Sequence, residues 1–520
     1  MNTYLLSILI FLVACSPDDH QDAMSDPSVP ETDQMIQGES MMDMNVDSST
    51  SMSDQAIAMN LDGGSSRDFS MSQNDLDQGE SMPNDDTESN ELSPEPADEA
   101  AYIYDQNVVH QFELILTPEN MEILDREPTA EQYVPGTLIF EGVTYDNIAV
   151  RYKGSVGAWL SCVEGSTPEN PLNLTGAITC PKLSLKVSFN KYDPEGRFFG
   201  LKKLLFHAMN NDQSLMKERL GYWLFRHMGV AAPRANHVKV TLNGDRVGLY
   251  ANVEYIDGRF TRSRFEDGKG NLYKEVWPTW SEFTGPVTAT RLEQGLRTNE
   301  DESPSFANVL RFSSAMQGDS EARAQALPEW MDIDYLARFI AVDRAIAADD
   351  GPFHFYCQRT GCTNHNFYIY EEELGTKLWV IPWDLDHAFL DLTSPVSTPV
   401  EQFIKVVDEW HDLSVDCAPH PGAASWTPWQ IPPNCDPLIR TYAEHFMDNY
   451  YDVLDEFVAG PFSPEVIENQ LNVWSTQIAS TVEEVHTLNN EHLSTSEWMR
   501  FLSDLKNRLI LLRENASIRD

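Results

Sequence analysis

Three runs decide how this chain is read: A-V-D-R-A-I-A-A-D-D-G (residues 341–351), T-N-H-N-F-Y-I-Y (363–370) and K-L-W-V-I-P-W-D-L-D (377–386). The first is an apolar helical pattern that stops at Asp349-Asp350-Gly351. The other two are rich in β-branched and aromatic residues, and read as strands. Asn366 stands at the start of one, and Asp384 and Asp386 stand at the end of the other. Carboxylates and an amide at strand ends are the oxygen donors that a hard divalent cation takes.

Working outward, 520 residues exceed a usual single domain, so an ordered region of several hundred residues with appendages is expected. With 36 Lys and Arg against 82 Asp and Glu, the net charge is -46. Binding nucleic acid through phosphate neutralisation is thereby excluded, because no basic surplus exists to displace counterions. A basic partner or a cation-bridged ligand fits the charge.

The opening M-N-T-Y-L-L-S-I-L-I-F-L-V-A-C-S has the length of a signal-peptide apolar region and is too short to span a bilayer. Leu12-Val13-Ala14-Cys15 resembles a bacterial lipobox, which implies cleavage before Cys15 and acylation of its thiol; the alternative is an ordinary signal peptide with an incidental cysteine. Residues 16–100, rich in Asp, Glu, Ser, Met, Gln and Asn, read as a disordered acidic linker unable to bury enough apolar surface to offset chain entropy. No later apolar run is long enough to cross a membrane. The expected location is therefore extracytoplasmic, on a bacterial outer membrane or cell surface, anchored through lipid alone.

Beyond Cys15 the cysteines form three sequence-local pairs: Cys162 with Cys180, Cys357 with Cys362, and Cys417 with Cys435. Disulfides in an oxidising compartment are the expectation. A zinc site is the alternative, although no Cys-x-x-Cys occurs.

Order is expected from about Tyr102. V-V-H-Q-F-E-L-I-L alternates as a half-buried strand, Thr117-Pro118-Glu119 opens a helix with proline at its first position, and residues 136–155 read as a hairpin and a third strand. That strand ends Arg151-Tyr152-Lys153-Gly154-Ser155, a candidate phosphate cradle or a plain solvated strand end. K-L-S-L-K-V-S-F (182–189) alternates strictly, so Lys182, Ser184, Lys186 and Ser188 share one face, which is either phosphate-facing or simply exposed. Then come a strand, a turn at Asn210-Asn211-Asp212 with Asp212 where an N-cap belongs, and an amphipathic helix ended by Gly229 and Pro233. A hairpin around Asn243-Gly244-Asp245 follows. Glu254 in its second strand needs a cation if buried, and Lys186 is the candidate. Lys274 closes N-L-Y-K. Beyond Phe389, three helical patterns supply packing surface.

Taken in order, R-Y-K-G-S, K-L-S-L-K-V-S-F, F-G-L-K-K-L-L with N-N-D-Q-S-L-M-K-E-R-L, L-N-G-D-R-V-G-L-Y-A-N-V-E, N-L-Y-K, N-H-N-F-Y-I-Y and I-P-W-D-L-D-H-A-F resemble the CotH kinase family of spore-coat, kinase-like proteins. R-Y-K-G-S is similar to the family's Arg-Gly-Asn-Ser but lacks the Asn. A cysteine-bearing insertion follows it, and another separates Asp350 from Asn366.

The resemblance implies an α+β, atypical protein-kinase-like two-lobe fold over residues 101–520, with a mainly β N-lobe to about residue 280 and a mainly helical C-lobe after it. It also implies ATP- and Mg2+-dependent (or Mn2+-dependent) phosphorylation of Ser or Thr on a surface protein. The roles it carries over are Asp350 as base, with Asp349 its neighbour, and Asn366 with Asp384 or Asp386 as metal ligands. Arg151, Lys153, Lys186, Glu254 and Lys274 fall on the nucleotide side. The glycine-rich loop and H-R-D signature of conventional kinases are absent. Competing readings are a non-catalytic scaffold whose acidic cluster binds Ca2+ and, less well supported, a glycan hydrolase using paired carboxylates.

Overall fold

The computed structural model describes residues 98–166, 173–390, 410–424 and 427–518. The expectations for Cys15 and for the acidic linker up to residue 97 lie outside these residues.

Alternation of apolar and polar side chains builds seven strands in the first half: β1 (His110–Ile115), β2 (Val134–Phe140), β3 (Val143–Tyr152), β4 (Leu185–Ser188), β5 (Lys203–His207), β6 (Ala235–Leu242) and β7 (Arg246–Val253). The expected mainly β half is a closed barrel in the order β1-β2-β3-β4-β5-β7-β6, shut by a parallel pairing of β6 with β1. Phe112, Phe140, Val150, Leu185, Val187 and Phe206 fill its interior. The helix Pro118–Arg126 starts as read, with Thr117 accepting from the Asn120 N–H. Asn243 (φ 53°) and Gly244 (φ 80°) make the β6–β7 turn, the left-handed pair that a two-residue hairpin requires.

The alternation in K-L-S-L-K-V-S-F is right, but its polar face is not exposed. Leu185 and Val187 point into the barrel, yet Lys186 and Ser188 are also buried; on the outside of β4 and β5 the Lys186 and Lys203 ammonium groups lie over the Tyr255 ring. Cross-strand register sets Arg151 opposite Lys186, and Lys186 opposite Leu205. With a period of two, Lys153 and His207 continue the same outward face.

The second half joins helices to two further sheets. Strand β8 (Asn271–Lys274) pairs with β11 (Phe367–Glu371), which pairs with β12 (Leu378–Pro382). Strands β9 (Phe355–Gln358), β10 (Gly361–Thr363), β13 (His420–Ala424) and β14 (Thr427–Ile431) form the other sheet. A large apolar cluster links these strands to the helices Lys217–His227 and Ile333–Ala345 and to the C-terminal helices. The first of the helical patterns beyond Phe389 is carried by two helices, Pro437–His445 and Met447–Ala459, separated at Phe446. Helices Pro464–Leu488 and Thr495–Ala516 follow, the latter opened by a reciprocal Ser494–Glu497 capping box. Among the described residues no helix is long and apolar enough to cross a membrane.

All three cysteine pairs form as expected: Cys162–Cys180, Cys357–Cys362 and Cys417–Cys435. Zinc ligation by these thiols is thereby excluded.

Candidate active site

The outward face of β3–β5 and the ends of β8, β11 and β12 line a cleft of about 1160 Å³, counting space open to solvent. Lys153, Lys186 and Lys274 line it together with Glu218, Glu275, Asp384 and Asp386. A smaller hollow of about 260 Å³ is lined by Asp350, Asn366 and Asp384. Asn366 and Asp384 border both. Residues 343–386, read as one acidic group, are therefore brought together by folding.

Asp350 follows the helix Ile333–Ala345, in a turn ended by Gly351. Its Oδ1 accepts from the Tyr356 hydroxyl at 2.7 Å, and its Oδ2 accepts from Asn366 Nδ2 at 2.8 Å. Burial pushes its carboxyl up to about 6; the His365 charge and the Tyr356 hydrogen bond oppose this, whereas Asp384 and Glu275 add to it. Asn366 Nδ2 also donates to the Asp350 carbonyl, which turns the amide oxygen away from Asp350.

The two aspartates after β12 do not project together as an extended strand would place them. The strand ends at Pro382, Asp384 takes left-handed backbone (φ 53°), and Leu385–His387 form a short 3-10 turn. The Asp384 N–H donates to the Tyr222 hydroxyl at 2.9 Å. Burial and the Glu218 charge raise the Asp384 carboxyl, against Lys153, His207 and Lys274. Asp386 accepts instead from Asn211 at 3.3 Å, and its carbonyl takes Lys217 Nζ at 2.9 Å. Asp384 is thus the aspartate that shares a hollow with Asp350 and Asn366.

Helix Lys217–His227 brings up a carboxylate that the sequence did not single out. Glu218 Oε1 and Oε2 lie 2.8 and 2.9 Å from His207 Nδ1, and His207 Nε2 lies 2.9 Å from Lys153 Nζ. A lysine ammonium only donates, so Nε2 accepts and Nδ1–H donates to Glu218. The chain Lys153–His207–Glu218 thereby ties the end of β3 to the helix, with burial lowering the Lys153 pKa against Asp384 and Glu218. His207, Glu218 and Asp384 lie close enough for one ligand atom from each to sit within 4.8 Å of the others.

Two features fix this helix. Asp212 is not its N-cap residue, a position Met216 holds; its carboxylate reaches forward to the Lys217 N–H at 2.8 Å. Gly221 lets the helix approach the aspartate turn, since a Cβ there would lie 2.7 Å from Leu385 Cδ1. A first-turn glutamate reads as ordinary dipole complementation, and a histidine at a strand end as a hydrogen-bonder. The sequence therefore gave Glu218 and His207 no distinguishing mark.

The other expected residues fall as follows. Arg151 lines the cleft, buried, paired with Glu131 and lying over the Tyr133 ring. Lys186 lies over the Tyr255 ring at 5.2 Å. Lys274 sits at the end of β8, opposite Tyr368. Glu275, despite burial, is held down to about 2 by the His365 hydrogen bond and the Lys274 charge. Glu254 does not line the cleft and does not turn to Lys186. It is buried among Arg234, Arg264 and Arg259, with Arg234 Nη2 at 2.6 Å and Arg264 Nη2 at 2.9 Å, because three guanidinium forks from nearby loops and the helix Gly258–Arg264 reach it first.

A family model described as CotH kinase protein matches residues 150–510. The inner spore coat protein H of Bacillus subtilis (strain 168) is 26% identical over 212 residues, which are 39% of this chain and 54% of that protein. An inner spore coat protein H-like protein of the same strain is 34% identical over 85 residues, 16% of this chain and 26% of that one. The chain therefore spans about half of one curated relative and a quarter of the other. Among solved structures, a Shewanella oneidensis MR-1 HipA–HipB–operator DNA complex aligns at 11% identity with TM-score 0.22, covering 61% of this chain and 59% of that one. The Helicobacter pylori proinflammatory kinase CtkA aligns at 9% with TM-score 0.23, covering 64% and 94%. The family match alone covers more than half of the 520 residues, and the chain belongs to the CotH kinase family.

Proposed function

We propose that this protein transfers the γ-phosphoryl group of ATP to a serine or threonine hydroxyl of an extracytoplasmic protein, within a kinase-like two-lobe arrangement. The observation that carries the proposal is the convergence of Asp350, Asn366 and Asp384 on one hollow, next to a cleft lined by Lys153, Lys186 and Lys274. Phosphoryl transfer needs that combination of a carboxylate near the acceptor, oxygen ligands for a divalent cation, and cations along the phosphates.

The donor set suits Mg2+ or Mn2+. Asn366 offers its amide oxygen, because its nitrogen is committed to Asp350, and Asp384 offers a carboxylate. When bound, the cation would screen the triphosphate charge. Asp350 orients the acceptor hydroxyl and receives its proton as the oxygen–phosphorus bond forms. The bond between the γ-phosphorus and the oxygen of ADP breaks, and ADP leaves with the electron pair. Lys153, tethered through His207 to Glu218, would hold phosphate oxygens. The same three lysines weigh against a purely structural Ca2+ cluster, for which a lining of oxygens alone would serve.

The test is labelled phosphate transfer from ATP, with Mg2+ or Mn2+, to casein and to the chain itself. Asp350→Asn and Asp384→Asn should each abolish it, and activity at the wild-type level in either would refute the assignment. No ATP binding at millimolar concentration would favour the scaffold reading. The three disulfides suit an oxidising compartment. Anchoring through Cys15 completes the proposal, and it fails if mass spectrometry of the membrane fraction finds that thiol unmodified.

A further inference from the structure

Between Asp350 and Asn366 the chain makes a hairpin of β9 and β10, clasped by the Cys357–Cys362 disulfide between directly paired residues. This is the insertion that sets the chain apart from the pattern it resembles. Its position suggests more than a decorated loop. Tyr356, the residue before Cys357, is buried, and its hydroxyl donates to Asp350 Oδ1 at 2.7 Å.

We infer that Tyr356, presented by this clasped hairpin, is a positioning residue that fixes the carboxylate plane of Asp350 for phosphoryl transfer. The inference rests on the reading of Asp350 as base. A carboxylate turns about its last torsion with little resistance, so one donor leaves it free to swing. Here each oxygen is held by a different donor, Tyr356 on Oδ1 and Asn366 on Oδ2, and each oxygen keeps a further lone pair for the acceptor hydroxyl.

The tyrosine is itself held on every side. Its backbone pairs with Thr363 in β10 and with Gln430 in β14, and its ring stacks on His354 with centroids 3.5 Å apart. The disulfide locks the next residue across the hairpin. A hydroxyl anchored this firmly costs little further entropy to aim. A buried tyrosine that had merely found an acceptor would need neither the clasp nor this particular carboxylate.

The experiment compares wild type, Tyr356→Phe and Cys357→Ser/Cys362→Ser in phosphate transfer from labelled ATP to casein, with ATP-binding stoichiometry measured by calorimetry so that loss of folded protein is not mistaken for loss of rate. Tyr356→Phe should lower kcat about tenfold with KM for ATP within about twofold of wild type. The cysteine pair variant should lower kcat in the same sense, and provides the test if the phenylalanine variant does not fold. Unchanged kcat in folded Tyr356→Phe, alongside an inactive Asp350→Asn, would overturn the positioning role and leave the base assignment standing. A raised KM for ATP at unchanged kcat would overturn it too, by moving Tyr356 to nucleotide binding. Wild type without transfer to casein or to itself, or Asp350→Asn as active as wild type, would remove the base and Tyr356's role with it.

Discussion

Asp350→Asn should separate stability from activity, and the separation should depend on pH. Burial raises the Asp350 carboxyl from 3.8 to about 6. At about 1.4 kcal/mol per unit, keeping it charged in the fold costs on the order of 3 kcal/mol. Because the native acid holds its proton more tightly than the unfolded one, the penalty is absent below about pH 4, grows as pH rises, and is complete above about pH 6. Asparagine escapes this penalty, but it has one carbonyl oxygen where the carboxylate had two acceptors. Either Tyr356 or Asn366 then loses its partner, at a cost of about 1–2 kcal/mol at any pH. In metal-free protein the variant should be about 1–2 kcal/mol less stable than wild type near pH 4 and about 1–2 kcal/mol more stable near pH 7.5. Urea unfolding in the presence of a chelator, at both pH values, reads the two differences directly. The same difference at both pH values would refute the assignment of a buried, high-pKa carboxylate, whatever happens to phosphate transfer.

Three further outcomes follow from the same geometry. Glu254→Ala leaves Arg234, Arg259 and Arg264 around a vacant partner and should cost about 3–5 kcal/mol in denaturant unfolding; because Glu254 stands outside the cleft, ATP affinity of the folded variant should not change. Gly221→Ala raises helix propensity by about 1 kcal/mol, yet its methyl would lie 2.7 Å from Leu385 Cδ1, so kcat should fall as the Asp384 turn shifts, and a fully active variant would show that the turn has room. Glu275→Gln removes a carboxylate held down to about 2, whose contribution is complete above about pH 4.5 and lost as pH falls toward 2. Its destabilisation, on the order of 3 kcal/mol at neutral pH, should shrink as pH falls from about 4.5 toward 2 in urea titrations.

What was legible in the sequence was whatever a period records. Strict alternation in K-L-S-L-K-V-S-F set Lys186 opposite the barrel interior, and Asn243-Gly244 fixed a hairpin register, because both signals are local and each residue type there has one backbone it favours. Closure of the barrel was not legible. It depends on a parallel pairing of β1 with β6, which lie more than a hundred residues apart, and no local pattern encodes a partner at that distance. The burial of Lys186 was hidden for a related reason: alternation reports which residues share a face, not what later covers that face. Spacing identified the disulfides because sequence-local cysteines have few other partners. Glu254 was recognised as needing a cation, but the choice among Lys186, Arg234, Arg259 and Arg264 belongs to tertiary structure.

The site itself was least legible where the backbone departs from the residue's preference. Met209, Glu275, Asn366 and Asp384, all at the cleft or beside its lining, have φ values of 56°, 54°, 58° and 53°. A side-chain-bearing residue held there costs roughly 1 kcal/mol, and glycine would avoid the cost. Yet glycine at 366 or 384 would have no oxygen to offer, so residue choice at these positions follows the side chain and not the backbone. A turn marked by no glycine therefore looks in the sequence like the end of an extended strand, on which Asp384 and Asp386 would share one face. The surroundings that impose this backbone are visible: the Asp384 N–H is held by Tyr222, the Asn366 amide by the Asp350 backbone and carboxylate, and Gly221 brings the helix that carries Glu218 against Leu385. Left-handed backbone also occurs at turns away from the cleft, such as Asn299 and Ser303, so what marks Asn366 and Asp384 is that the residues bearing it line the hollow and carry the oxygens a cation would take.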